Sequence, residues 1–168
     1  MPLDKSTLIN FLTALDKETS RKITLVAVGG TAMTLLDLKP STIDIDFTIP
    51  HKDLPEFNKA QTSMPHGFKI HTYSNGTIFS QTLPEDYLKR SIKITDFKHI
   101  HLRALHPIDI VVTKIGRLDE RDLQDIEECI NKYHISRNQI KERAANVQYA
   151  GKEENYLYNL KIVLQRFF

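Results

Sequence analysis

Two aspartates two positions apart, Asp44 and Asp46, follow a glycine pair, Gly29-Gly30, and together they are the part of the chain whose residue types and spacing could do chemistry. On a strand, alternate side chains share a face. The run Ile43-Asp44-Ile45-Asp46-Phe47 is therefore expected to aim both carboxylates one way and Ile43, Ile45 and Phe47 the other. Adjacent acids repel unless a cation lies between them. The glycines let the backbone turn tightly and approach a ligand, and N–H groups at the start of a following helix would face an anion. A phosphate-sized turn opposite a carboxylate pair is what metal-dependent chemistry on a nucleoside triphosphate requires, the metal screening acids from phosphates.

The elements that must position these groups can be read from the flanking residues. Ile23-Thr24-Leu25-Val26-Ala27-Val28 is apolar and β-branched, as a buried strand is, and Thr31 to Leu38 reads as a short helix closed by Pro40. Before them, Ser6 is expected to cap a helix with Leu8, Ile9, Phe11, Leu12 and Leu15 on one side. After the acidic strand, Pro50 is a stop, Asp53 a cap for a third helix through Leu54, Phe57 and Ala60, and Pro65-His66-Gly67 a break. Phe68 to Tyr73, turning at Ser74-Asn75-Gly76 into Thr77-Ile78-Phe79, reads as a β-hairpin. Leu83 to Leu88 suggests a turn of helix, and Ser91 to Phe97 with His99 to Ala104 a second hairpin carrying Lys93, His99, His101 and Arg103.

From Pro107 onward strand signals stop. Helices are expected from Pro107 to about Gly116, from Asp119 along Leu123, Ile126 and Ile130, from Ser136 to Tyr149, and from Glu153 to Phe168, the last burying Tyr156, Leu157, Leu160, Val163, Leu164 and Phe167. The expected class is α+β, a mixed sheet flanked by helices with a helical C-terminal third. Residues 1–130 form the main domain in this reading, and 131–168 a helical extension packed on it.

At Val28-Gly29-Gly30, thirteen intervening residues and Asp44-Ile45-Asp46, the sequence resembles the nucleotidyltransferase superfamily related to DNA polymerase β. The resemblance spans roughly residues 21 to 130. It implies a nucleoside triphosphate substrate, Mg²⁺ held by Asp44 and Asp46, and phosphates contacted by Gly29, Gly30 and Thr31. Members often add a third carboxylate on a neighbouring strand. The comparable position here is Thr77, with Asp96 as a substitute and His71 as another side chain that could face the site.

A second stretch, Asp109 to Lys114 followed by Arg121-Asp122-Leu123-Gln124-Asp125, narrows the resemblance to AbiEii-type abortive-infection toxins and their stand-alone relatives. Asp109, Lys114, Arg121, Asp122 and Asp125 match that family's acid, lysine and Arg-Asp-x-x-Asp arrangement. The resemblance implies that Lys114 holds triphosphate, that Asp122 is needed for activity, that tRNA or a protein side chain is the acceptor, and that an antitoxin is a possible partner. Asp46 or Asp122 would help deprotonate the acceptor. A purely structural role is equally concrete: Asp119 and Asp122 suit a helix cap and its third residue, and Arg121 with Asp125 an i,i+4 ion pair.

Lys and Arg number 23 against 21 acids, a formal charge of +2, which shows no overall nucleic-acid footprint. A lone cysteine, Cys129, excludes an internal disulfide and reads as a packed helix position. Neither a secretory leader nor an apolar stretch of ~20 residues is evident, so a cytoplasmic protein with no membrane partner is expected. Two alternatives to the enzyme stand beside it: a catalytically degenerate relative acting as a nucleotide-binding or toxin–antitoxin interaction module, and a dinucleotide-binding unit. The latter lacks its Gly-x-Gly-x-x-Gly, with Met33 where the last glycine could be.

Overall fold

A computed structural model describes residues 2–168. A two-residue strand β1 (Leu3–Asp4) runs straight into helix α1 (Lys5–Lys17), because Asp4 rather than the expected Ser6 is the cap, its carboxylate accepting the Thr7 N–H at 2.8 Å. Leu8, Phe11, Leu12 and Leu15 bury one stripe of this helix. Strand β2 (Ile23–Ala27) follows, and α2 (Gly29–Leu35) begins at the first glycine, two residues earlier than the sequence suggests. Next come β3 (Ser41–Thr42), which pairs with β1, and β4 (Ile45–Ile49).

The start of β4 corrects one expectation. Asp44 lies on the bend before the strand, and Ile43 is 64% exposed rather than sharing a buried face with Ile45 and Phe47. Asp53 corrects another. A 3₁₀ turn, His51–Asp53, feeds α3 (Leu54–Thr62), and the buried Asp53 carboxylate accepts from Arg21 and from the Thr24 N–H, both at 3.0 Å, instead of capping the helix.

Strand β5 (Ile70–Ser74) ends at Asn75-Gly76, whose φ values of +51° and +80° turn the chain sharply. The expected hairpin does not form there. The chain leaves the sheet, and β6 (Thr77–Ile78) pairs with β7 (Gln81–Thr82) in a separate small sheet. A short α4 (Tyr87–Arg90) precedes β8 (Ile92–Asp96) and β9 (Ile100–Ala104), which do form the second hairpin, with a bulge between Lys93 and Thr95. The main sheet has the order β5-β4-β2-β9-β8: β2 is antiparallel to β4 and parallel to β9, and β4 is parallel to β5. This mixed pattern is not the wholly parallel sheet of a dinucleotide-binding unit.

Helices α5 (Pro107–Lys114), α6 (Glu120–Tyr133) and α7 (Arg137–Ala145) follow as expected in place, α6 and α7 each opened by a capping box, from Asp119 and Ser136. The helix foreseen to Tyr149 stops at Ala145, since Gln148–Tyr149 form β10 and pair with β7. A two-residue bridge has no periodicity to betray it. The last helix, α8 (Glu153–Phe167), buries Tyr156, Val163 and Leu164, leaves Leu160 and Phe167 partly covered, and exposes Leu157. Cys129 is free and buried on α6, where burial pushes its thiol up to about 12, so it packs rather than reacts. No helix among the described residues is long and apolar enough to cross a membrane.

Candidate active site

The glycine turn, the acidic bend and the ends of α5 and α6 meet around one open cavity of about 500 Å³. One wall holds Gly29, Gly30, Asp44 and Asp46; the other holds Lys114, Arg117, Arg121, Asp122 and Asp125. Residues about 70 positions apart in sequence are brought together because β2 and β4 are neighbours in the sheet, while α5 runs on from β9, the other neighbour of β2.

Gly29 has φ +53°, a left-handed conformation that favours glycine. A Cβ there would stand 3.8 Å from Asp46 Oδ2, so the turn and the acid face each other. The first helical bond of α2 is Ala32 N–H to the Val28 carbonyl at 3.1 Å, so the N–H groups of Gly29, Gly30 and Thr31 lie ahead of the helical ladder. Thr31 itself is fully buried: its hydroxyl donates to the Asp44 carbonyl at 3.1 Å and accepts the Asp46 N–H at 2.9 Å. Its side chain therefore staples the acidic bend to the glycine turn and does not line the cavity.

Gly30 is held as closely. A Cβ there would meet Thr42 Oγ1 at 2.7 Å, and that hydroxyl donates to the Asp44 carbonyl at 3.1 Å. In Gly30→Ala the better helix preference of alanine and the displaced Thr42 hydroxyl oppose each other at about 1 kcal/mol each. The melting temperature of Gly30→Ala is therefore expected to change little, as thermal unfolding would measure.

The two acids differ in their surroundings. The Asp44 carboxylate has no hydrogen-bond or ion-pair partner among the described residues, while Asp46 Oδ1 is bonded to His71 Nδ1 at 2.9 Å and Oδ2 has none. Burial raises the Asp46 pKa above the ordinary value; the His71 contact and the Lys114 charge pull it down, and repulsion from Asp44 adds to the rise. His71 is the register partner of Asp46 across β4 and β5, so it, and not Thr77 or Asp96, occupies the neighbouring-strand position. Thr77 contacts Thr82 in the small sheet, and Asp96 pairs with Lys93 and His101 on β8 and β9.

On the opposite wall, Lys114 is 7% exposed and its ammonium bridges Asp122 Oδ1 at 3.2 Å and Asp125 Oδ2 at 3.0 Å. Asp122 is fully buried and accepts from Lys114, twice from Arg117 at 2.7 and 2.8 Å, and from the Asp119 N–H at 3.1 Å. Burial alone would raise its pKa, but the Arg117 hydrogen bonds, the Lys114 charge and the Asp119 N–H outweigh it and bring the carboxyl to about 2. The capping-box reading and the site reading of Asp122 thus hold at once. Asp125 pairs with Lys114 and with Lys39, at 3.2 Å, and not with Arg121, which stands exposed on the cavity wall without an ion-pair partner among the described residues.

Asp109 does not join the site. It is completely buried and chelated by Arg143, Nη2 to Oδ2 at 3.0 Å, and Arg143 also reaches Asp86 at 2.8 Å, tying α5 to α7. Lys39, Arg117, Ile43 and Phe79 line the cavity without having been singled out. Arg117 lies in the turn between α5 and α6, and the others arrive from loops with no local pattern.

No group of three or more His, Cys, Asp and Glu side chains arranged to hold a metal ion occurs among the described residues. Mg²⁺ seldom needs one, since one or two carboxylates together with substrate phosphates and water complete its shell. The open oxygens of Asp44 and Asp46, hard donors facing the glycine turn, fit such an ion.

Comparison with curated proteins and with solved structures returns no match. A family model described as "Nucleotidyltransferase of unknown function (DUF6036)" matches residues 6–167, nearly the whole chain, and the protein belongs to that nucleotidyltransferase family.

Proposed function

We propose that the protein moves a nucleoside monophosphate from a nucleoside triphosphate to a hydroxyl acceptor in a Mg²⁺-dependent reaction. The observation that carries this reading is the convergence of the Gly29-Gly30 turn, Asp44, Asp46 and the Lys114 ammonium on one cavity. Asp44 and Asp46 would hold the metal, which when bound supplies charge neutralisation between the carboxylates and the phosphates.

The chain's own groups do the rest. The N–H groups of Gly29 and Gly30 receive phosphate oxygens, and Lys114, Arg117 and Arg121 on the opposite wall offer further donors to the triphosphate. Lys114 is held in place by Asp122 and Asp125, so it is positioned before substrate arrives. Asp122 serves as a positioning residue and not as a base: its oxygens are all engaged and its carboxyl stays ionised down to about pH 2. Asp46, whose Oδ2 is open toward the cavity, is the better placed proton acceptor. The acceptor oxygen bonds to the α-phosphorus, the bond from that phosphorus to the bridging oxygen breaks, and pyrophosphate leaves. His71 holds Asp46 through Oδ1 and keeps Oδ2 turned to the cavity.

The resemblance to AbiEii-type toxins supports tRNA or a protein side chain as acceptor, and an antitoxin as partner. Incubation with nucleoside triphosphate radiolabelled at the α- or the γ-phosphate, with bulk tRNA and with protein, tests the reaction class. Transfer of the α label alone is the expected result; transfer of the γ label would establish a kinase instead.

A further inference from the structure

Phe79 is the first residue of the two-residue connection between β6 and β7, Ile78 pairing with Gln81 across it. Its φ is +52°. Two-residue hairpins with a left-handed first position select glycine there, since a side chain meets the backbone. A phenylalanine in this conformation is strained, and such strain persists where the surroundings enforce it, most often at functional sites.

The surroundings of the ring are specific. The Arg117 guanidinium lies over it, 5.3 Å from its centroid, and is itself fixed by the bidentate contact with Asp122. Tyr73 packs beside it at 5.4 Å between ring centroids. Even so, Phe79 is 46% exposed, and it lines the same cavity as Asp44, Asp46 and Lys114. Ile43, 64% exposed on the acidic bend, is the other apolar side chain of that cavity; the remaining lining is glycine, polar or charged.

A nucleoside triphosphate is divided the same way, with a charged tail and a flat apolar base. The geometry points to Phe79 as the platform on which the base of the triphosphate stacks, with Ile43 as the second apolar contact. This inference rests on the proposed nucleotide site and adds the residue that grips the base. Every base has a π-face, so stacking on Phe79 accepts all four and holds the larger purines more tightly. Asp44, Asp46 and Lys114 serve the phosphate end, and Phe79 is thus the residue that holds the base.

The test is calorimetric titration of ATP and of inorganic tripolyphosphate, in Mg²⁺, into the wild type, Phe79→Gly and Phe79→Trp, with a melting temperature for each. Phe79→Gly is expected to weaken ATP binding by about tenfold or more, leave tripolyphosphate binding unchanged, and keep the melting temperature at or above that of the wild type, since glycine relieves the strain. Phe79→Trp retains or improves ATP binding. Unchanged ATP affinity in Phe79→Gly, or equal losses for both ligands with a lower melting temperature, would overturn the inference. Equal wild-type affinity for ATP and tripolyphosphate would overturn it too, while leaving the nucleotidyl-transfer reading standing; binding of neither ligand would overturn both.

Discussion

Replacing Asp44 and Asp46 together by asparagine is expected to remove nucleotidyl transfer, by at least ~10³-fold or ~4 kcal/mol of barrier, without unfolding the protein. The shape of the bend survives, because Thr31 and Thr42 hold it through the Asp44 carbonyl and the Asp46 N–H, which asparagine keeps. Stability should hold or rise. Burial, only partly offset by His71, sets the native pKa of Asp46 above its ordinary 3.8, so the native state binds that proton more tightly than the unfolded chain does. The contribution of Asp46 to stability is therefore present below about pH 4 and is lost as pH rises through its raised native pKa. Thermal unfolding at pH 7 should give the double variant a melting temperature at or above the wild type. An acid whose removal abolishes activity and does not weaken the fold is one retained for chemistry. A large fall in melting temperature would make both acids structural.

Asp122 predicts the reverse balance. Asp122→Ala leaves Lys114 with Asp125 alone and Arg117 with only its 3.4 Å contact to Asp119, and removes one half of the α6 capping box. A loss of about 3 kcal/mol is expected, within the range for breaking a buried ion pair, together with weaker triphosphate binding through a loosened Lys114. The pH dependence identifies the group. The native carboxyl titrates at about 2 against an ordinary 3.8, so its contribution is complete above about pH 4 and is lost as pH falls toward 2. It amounts to about 2 kcal/mol in urea-unfolding free energies at pH 5 compared with pH 2. The Asp122→Ala variant should lack that component of the acid slope. An acid slope equal to that of the wild type would place the stabilisation elsewhere.

How much of this was legible in the sequence depends on how local each signal is. The strand before Gly29, the hairpin of β8 and β9, and the helix starts at Pro107 and Asp119 are all written within a few residues, and the fold keeps them, whereas Asp44 leaves the strand that carries Asp46 for the bend before it. Boundaries set by tertiary contacts were not. Ser6 and Asp4 are equally good caps by type, and only the pairing of β1 with β3 places Asp4 at the helix entrance. Asn75-Gly76 is a hairpin turn by composition, yet β6 pairs with β7 and not with the open edge of β5, so the chain continues into another sheet.

The same division runs through the site. Lys114 and Asp122 were legible because eight residues separate them, one helix end from the next helix start. Asp109 fitted the same motif, but its partner Arg143 lies 34 residues on, and that pairing takes it out of the cavity. His71 faces Asp46 only through the parallel register of β4 and β5, which no single strand records. Phe79 looked like the end of a strand; its left-handed backbone, and with it the sign of a strained position, exists only in the folded chain.

The central claim is that Asp44 and Asp46 act on a triphosphate through a divalent cation, and it is tested most directly by titrating nucleoside triphosphate into the wild type and the Asp44→Asn, Asp46→Asn double variant, with Mg²⁺ and with chelator. Binding by the wild type that needs Mg²⁺ and disappears in the folded double variant is the predicted result. Mg²⁺-independent binding of equal strength in both proteins, or binding by neither, would contradict it.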